Sequence, residues 1–389
     1  MAQRNHSIFI AATGQNVGKT TICLGIISGL RKRYPSVGFI KPVGQQHVKV
    51  DSGINVDKDV VLFKEHFHLS TDYADMSPVI LPSGFTRHYL DGEVTEEELK
   101  QRITAAYTKV SSSNHYTVVE GTGHVGVGSI VNMNNARIAA ELGLEMIIIA
   151  SAGLGSTHDE LALNVAMCRS YGVRIKGVIL NRVMEDKRDM IMEYFPKTLK
   201  KWGIPLIGCV PFNQFLSTPS IKDFENLFGT TLLSGETHRL RHFKHTRLVA
   251  GSLATYENEM IPQELTITPA SRNDIISAIL RKHHESLTWD NCDFLGGILL
   301  TGRHPPDNEI LSKIKQSDIP ILYAPLCSYD AMKMITSFTA KIRTEDVPKV
   351  EQAIKIVEEN IDFDMLCSPA FTSLGSALHY KPTVPSSQG

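Results

Sequence analysis

The sequence predicts an α/β protein: a parallel sheet with helices on both faces, followed by a smaller α/β unit. Three observations predict it. Across residues 1–215, short apolar runs alternate with amphipathic stretches. The first alternation contains "AATGQNVGKTT" (11–21), a strand-to-helix turn ending in Gly-Lys-Thr. After a stretch without pattern, a second alternating block starts near residue 246.

The apolar runs of the first block are Ser7–Ala12, Val37–Val43, Tyr116–Val119, Met146–Ala150, Gly177–Leu180 and Leu206–Val210. Each has strand length and is nearly all apolar, as strands buried on both faces are. Between them, Ile22, Ile26, Ile27 and Leu30 fall on one helical face. Residues 158–171 and 187–202 also have helical patterns. Alternating strand and helix is the signature of a parallel sheet flanked by helices.

From 216 to 245 the pattern decays, which predicts a linker. The second unit is expected over 246–365. Its elements are strands at Arg247–Ala250, Phe294–Leu300 and Ile319–Tyr323, and a helix from Asn273 to His283. A last helix has apolar positions Val347, Val350, Ile354, Val357 and Ile361. The Pro/Ser-containing tail, 366–389, is expected to fray. No period marks a repeat array.

Composition narrows the function classes. The 389 residues are 42% hydrophobic and 21% charged, with a formal net charge of −1. Neither nucleic acid nor an anionic membrane is expected as a partner. No apolar run approaches the ~20 residues needed to cross a bilayer, and no secretory leader is evident. The six cysteines are scattered without a C-x-x-C pair, so buried thiols in the cytoplasm are expected. The pairs His66/His68 and His283/His284 lack a Cys or acid cluster and read as solvated surface.

The loop at 13–21 is a candidate anion site. A strand, a glycine-bearing turn and a helix start present backbone N–H groups to a phosphate. Gly14 and Gly18 give the turn its freedom. Lys19 would reach the β- and γ-phosphates, and the Thr20 hydroxyl would bind Mg²⁺. The loop residues Thr13, Gly14, Asn16, Val17, Gly18, Lys19, Thr20 and Thr21 are therefore expected to bind the nucleotide. Thr13 stands where the strict pattern has glycine. Glu120, closing the run Tyr116–Val119, stands where a metal-binding acid is expected in such folds; a capping or surface role is the alternative. Lys41, leaving the run before Pro42, is either a solvated lysine or a group placed to neutralise a transferring phosphate.

Five pieces in order, the loop 13–20, "KPVG", "EGTG", "AGLGSTHDEL" (152–161) and "GVILNR" (177–182), resemble dethiobiotin synthetase and the related ATP-dependent synthases of cobyrinic acid amidation. The resemblance implies that Lys19 and Lys41 bracket a transferring phosphate as catalytic groups. It implies that Thr20, Glu120 and Asp59 hold Mg²⁺, with Asp57 competing for the last place. Asn181 falls at the adenine-reading position and Pro211 at the turn passing the base. ATP, Mg²⁺ and a homodimer with a shared site are implied as well.

The stretch after Glu120, "EGTGHVGVGSIVNMNNARIA", departs from the diamine site of that family. It resembles instead the N-terminal region of long-form phosphate acetyltransferases, which couple such a domain to a module named for Asp-Arg-Thr-Gly-Gly, the DRTGG domain. The second block resembles that module, with Ser271 for the expected Asp before Arg272 and Arg303 after Thr301-Gly302. Arg272 and Arg303 are candidates for binding an anion or for structural ion pairs. No acetyltransferase domain is expected beyond this module.

Two functions are therefore expected in competition. One is a regulatory nucleotide sensor. The other is an ATP-dependent ligase that phosphorylates a small carboxylate or carbamate, which an amine then traps.

Overall fold

The computed structural model of the protein describes residues 5–289 and 293–368. The tail from 369 onward and Cys292 lie outside the described residues.

The first sheet has six strands: β1 (His6–Ala12), β2 (Val37–Ile40), β3 (Tyr116–His124), β4 (Met146–Ser151), β5 (Ile175–Val183) and β6 (Leu206–Pro211). They lie in the order β6-β5-β4-β1-β3-β2, and every pair is parallel. The order reverses direction around β1, so a crevice opens at its C-terminal end. Five of the six apolar runs lie within these strands; the sixth, Val37–Val43, is strand only to Ile40, and Val43 falls outside this sheet. β3 runs past the expected end at Val119, and Glu120 pairs with Ile10 within it. Buried side chains form a layer on each face, one through Ile8 and Ile10, the other through Phe9 and Ala11.

Helices cover both faces: α1 (Lys19–Arg31), α2 (Lys58–Phe67), α3 (Glu96–Ser112), α4 (Gly155–Ser170) and α5 (Arg188–Lys200). α3 starts with a capping box between Thr95 and Glu98, satisfying two helix-start donors reciprocally. It buries Leu99, Ile103, Ala106 and Val110, at helical spacing.

The segment expected as a linker is structured. It holds α6 (Ile221–Phe228), with its own capping box at Ser220 and Asp223, and β7 (Leu232–Ser234). β7 is the edge of a second sheet whose other strands are β8 (His245–Leu248), β9 (Glu264–Pro269), β10 (Gly297–Thr301) and β11 (Ile321–Ala324). The order is β7-β11-β10-β9-β8, with β7 antiparallel and the rest parallel. α7 (Asn273–Trp289), α8 (Asn308–Lys315) and α9 (Ser328–Ser337) complete this unit.

The last helix, α10 (Val347–Glu358), was expected in the second unit. Instead it packs on the first, where Val350, Ala353 and Val357 join the core layer containing Ile22 and Ile26 of α1. Gly25 and Gly29, one turn apart on α1, make room: a Cβ at Gly25 would stand 2.3 Å from Val357, and one at Gly29 2.1 Å from Phe363. The chain then covers the sheet edge at β6, where Cys209 N–H donates to Asn360 O at 3.1 Å and Asp362 N–H donates to Ile207 O at 2.9 Å. Phe363 belongs to a final short helix, α11 (Phe363–Cys367). The second unit is thus an excursion between β6 and α10.

Two further sequence expectations need correction. His283 is buried, with Nδ1 3.5 Å from Asp293, rather than solvated. Cys327 is exposed and caps α9, while Cys367 is half-buried; Cys23, Cys168 and Cys209 are buried. Among the described residues no three His, Cys, Asp or Glu side chains cluster for a metal, and no helix is long and apolar enough to cross a membrane.

Candidate functional site

The loop after β1 sits at the crevice. α1 starts at Lys19 without a side-chain cap and without acids in its first turn. Its first N–H groups are thus left for an anion. Gly18 has φ 100°, and a Cβ there would lie 2.2 Å from Asn181 Nδ2, so glycine is required. Gly14 is different: a Cβ would meet only Val17, at an ordinary 3.5 Å, so no such requirement holds there. Val17 is buried in the core and anchors the loop. Asn16 takes φ 57°.

Asn181, at the end of β5, donates from Nδ2 to Val17 O at 2.8 Å and accepts at Oδ1 from Arg182 N–H at 2.9 Å. Both ends of its amide hold backbone, so it fastens the loop to the sheet. Reading an adenine edge would require one of these bonds to be exchanged.

A cleft of about 520 Å³ opens over the loop, a size that suits a cofactor or small ligand. Asn16, Gly18, Lys19, Thr20, Thr21, Lys41, Asp59, Glu120, Asn181 and Pro211 all line it, as does Asp57. Thr13, Gly14 and Val17 lie behind the lining.

Lysine and acid side chains converge on the floor. Lys19 Nζ donates to Gly123 O at 2.9 Å and to Gly14 O at 3.4 Å. Lys41, buried, donates to Asp57 Oδ1 at 2.8 Å, contacts Asp59 Oδ2 and lies 3.8 Å from Glu120 Oε1. It is therefore not a solvated lysine. Burial opposes its charge, but Asp59, Glu120 and Asp57 together outweigh burial and hold its pKa above the ordinary range. Burial lowers the Lys19 pKa, with Glu120 opposing.

The acids divide by role. Asp57 is 2% exposed, and its Oδ1 both caps α2 by accepting from Asp59 N–H and accepts from Lys41. Asp59 opens toward the cleft, with 25% of its side chain accessible, and Lys41 holds its pKa low against burial. Glu120 is 1% exposed, and burial pushes its pKa up to about 7. Its Oε2 has no hydrogen-bond partner, and neither does Thr13 Oγ1. Buried polar atoms are rarely left so. Of the two, only Glu120 lines the cleft with Lys19 and Thr20, where a polar ligand could reach it.

The stretch after Glu120 is occupied with its own fold. Asn135 bonds the backbone of Thr122 and His124, and Asn134 caps the helix Asn135–Glu141 and donates to Tyr171 OH. Asn132 donates to Glu96.

Sequence reasoning missed one wall entirely. Residues 339–345, between α9 and α10, line the cleft opposite the loop. No periodicity or motif marks them. Arg182, also lining the cleft, follows Asn181 in the quoted "GVILNR" and was legible as a neighbour. Of the two candidate arginines in the second unit, Arg272 pairs with Asp274 and donates to Gly251 O, the structural alternative; Arg303 is exposed.

Known proteins agree with this organisation. The AAA_26 family, an AAA domain, matches residues 6–220, more than half of the chain, and the DRTGG domain matches 224–338. The phosphate acetyltransferase of Pseudomonas putida is 29% identical over 373 residues, covering 92% of this chain and 50% of its own length. That of Pseudomonas aeruginosa is 27% identical over 385 residues, covering 93% and 51%. The chain spans about half the length of the curated relatives it matches. Among solved structures, the MinC:MinD cell division protein complex of Aquifex aeolicus is similar at TM-score 0.34 and 15% identity, over 54% of this chain and 83% of that one. The CBS and DRTGG domains of the regulatory region of Clostridium perfringens pyrophosphatase, complexed with the activator diadenosine tetraphosphate, are similar at TM-score 0.25 and 16% identity, over 35% and 59%. With its phosphate loop on a parallel sheet and its second α/β unit, the chain belongs to the AAA_26 family, here followed by a DRTGG domain.

Proposed function

We propose that the protein is an ATP sensor: Mg·ATP binds in the cleft, and the second unit registers its presence. One observation carries this reading. The cleft that holds the loop, Lys19 and the Glu120 carboxylate is walled on its other side by the segment leading out of the second unit. A ligand there touches both units, which coupling between two sites requires.

Thr20, Asp59 and Glu120 fit a magnesium ion, a hard cation bound by few carboxylates, waters and phosphate oxygens. The orphaned Glu120 oxygen is the observation behind that fit. When bound, the metal would neutralise phosphate charge. Lys19 binds the phosphate chain, and Lys41 holds Asp57, Asp59 and Glu120 together. Asp59 and Glu120 would hold the metal, and Lys41, which faces both carboxylates, would stand beside it within the same floor. The ligase reading has no comparable support, because Asn132, Asn134 and Asn135 are spent on local structure.

Calorimetric titration of the whole chain with Mg·ATP tests this, alongside Lys19→Ala. Wild type should bind, and the variant should bind at least ~100-fold more weakly, the loss of a charge-assisted contact to phosphate. ATP turnover should stay negligible with diaminopelargonic acid plus bicarbonate or with small carboxylates and amines. Strong acceptor-dependent turnover would establish the ligase instead, and equal binding by the variant would remove the site.

A further inference from the structure

The segment 339–345 carries two cations into the cleft, and they are not equivalent. Arg343 is committed: it donates from Nε to Asp223 Oδ1 at 2.8 Å, and that carboxylate is buried at the start of α6. Lys341 donates to Gln46 Oε1, a neutral amide on the far wall. An ammonium held by a neutral group gives it up readily to a phosphate oxygen, because a charge-assisted bond is about twice as strong.

The floor leaves a charge to be met. Lys41 is matched by Asp57, Asp59 and Glu120; Lys19 meets only backbone carbonyls, and Lys58 and Arg182 line the cleft beside the floor. A triphosphate with one Mg²⁺ remains about twice negative. A cation on the open side of the cleft would balance it. Lys341 lies at the end of the cleft where Asp59 is, and Asp59 is among the charges that act on it. Asn181 and Pro211, the expected base end, are on other elements.

The strap is also held where it enters α10. His242 Nε2 meets Asp346 Oδ2 at 2.7 Å, and the buried Lys349 of α10 donates to Thr218 O at 2.7 Å. Ile342 packs on the first unit's core. A pull on Lys341 therefore bears directly on contacts that join the two units.

We infer that Lys341 is a ligand of the terminal phosphate of a nucleoside triphosphate, supplied from outside the loop domain, so that the strap 339–345 distinguishes triphosphate from diphosphate. This rests on the reading of the cleft as a triphosphate site.

The test titrates the whole chain with Mg·ATP and Mg·ADP, for wild type, Lys19→Ala, Lys341→Ala and Lys341→Arg. Lys341→Ala should weaken ATP about tenfold and ADP less than threefold; Lys341→Arg should restore most of the ATP affinity. In the unsubstituted protein, hydrogen exchange across 339–345 should slow with ATP and much less with ADP. If Lys341→Ala binds both nucleotides like wild type while Lys19→Ala loses both, Lys341 is no ligand and the triphosphate site stands. If exchange in the strap responds equally to both nucleotides, the discrimination fails, whatever the variants' folding. If wild type binds neither nucleotide, the site itself fails and this inference with it.

Discussion

Replacing Lys41 by methionine tests the electrostatics of the floor without any ligand. The lysine stands among Asp57, Asp59 and Glu120, and two of these carboxylates are 2% and 1% exposed. Methionine fills the same space but removes the ammonium that touches all three. Breaking a buried pair from one side typically costs 3–5 kcal/mol. A second route bounds that figure. A stranded carboxylate can take up a proton, which at pH 7 costs about 1.4 kcal/mol for each unit above its ordinary pKa, or roughly 3.5 kcal/mol for one group. Both routes give about 3–4 kcal/mol, which for a domain of this size lowers Tm by roughly 10 °C. The proton route also fixes a sign. In the variant, folded carboxylates have pKa values above their unfolded ones, so stability falls as pH rises toward the folded values. The deficit should therefore be larger at pH 8 than at pH 6, by up to ~1.4 kcal/mol per unit for each proton taken up. Scanning calorimetry at the two pH values reads it. Adding Asp57→Asn to the variant should recover part of the loss, because asparagine still caps α2. A deficit below about 1 kcal/mol, or one independent of pH, would refute the view that Lys41 neutralises the floor.

Two further predictions concern the metal and the C-terminal helix. Because burial holds the Glu120 pKa near 7, binding of Mg·ATP should release a proton around neutral pH and weaken by up to about tenfold per unit below it. Calorimetry in buffers of different ionisation heat detects the proton, and buffer-independent heats at pH 6.5 would exclude Glu120 as a metal ligand. Gly29→Ala gains about 1 kcal/mol of helix propensity but places a methyl 2.1 Å from the Phe363 ring. Overpacking at 1–3 kcal/mol should win, giving lower thermal stability and faster proteolysis within 339–366; a variant as stable and as resistant as wild type would contradict the packing.

The legibility of each element in the sequence has a physical cause. Parallel strands buried on both faces leave long apolar runs, so Ile8, Val118, Ile148, Ile179 and Ile207 marked their sheet. β9 escaped because threonines break its run: Thr266 and Thr268 are both buried, the first bonded to Tyr256 OH at 2.8 Å. α3 was overlooked although Thr95-x-x-Glu98 and its apolar spacing announce it. The candidate loop, Lys41 and Glu120 were legible because each sits where a strand ends or a turn needs glycine. Asp57 and Asp59 were not separable, since two residues on opposite sides of a helix start differ only in what they touch. Periodicity showed that α10 has an apolar face, but it carries no information about which surface receives that face.

That last point decides how the two units are connected. A helix that ended the second unit would leave the units joined by one strand of chain, free to reorient. Here the chain returns, and α10 lies along α1, whose N-terminus is the phosphate loop. At Gly25 and Gly29 the α1 backbone is met directly by the side chains of Val357 and Phe363, leaving no room for a Cβ between them. Packed interfaces of this kind do not deform gradually. The strap is consequently held between a rigid pair of helices on one side and α6, through Asp223, on the other. Any force on Lys341 must be taken up at Arg343, Asp346 or Lys349, which are the contacts to Asp223, His242 and Thr218. The second unit is therefore reached from the cleft through the seven residues 339–345, not through the length of the first domain.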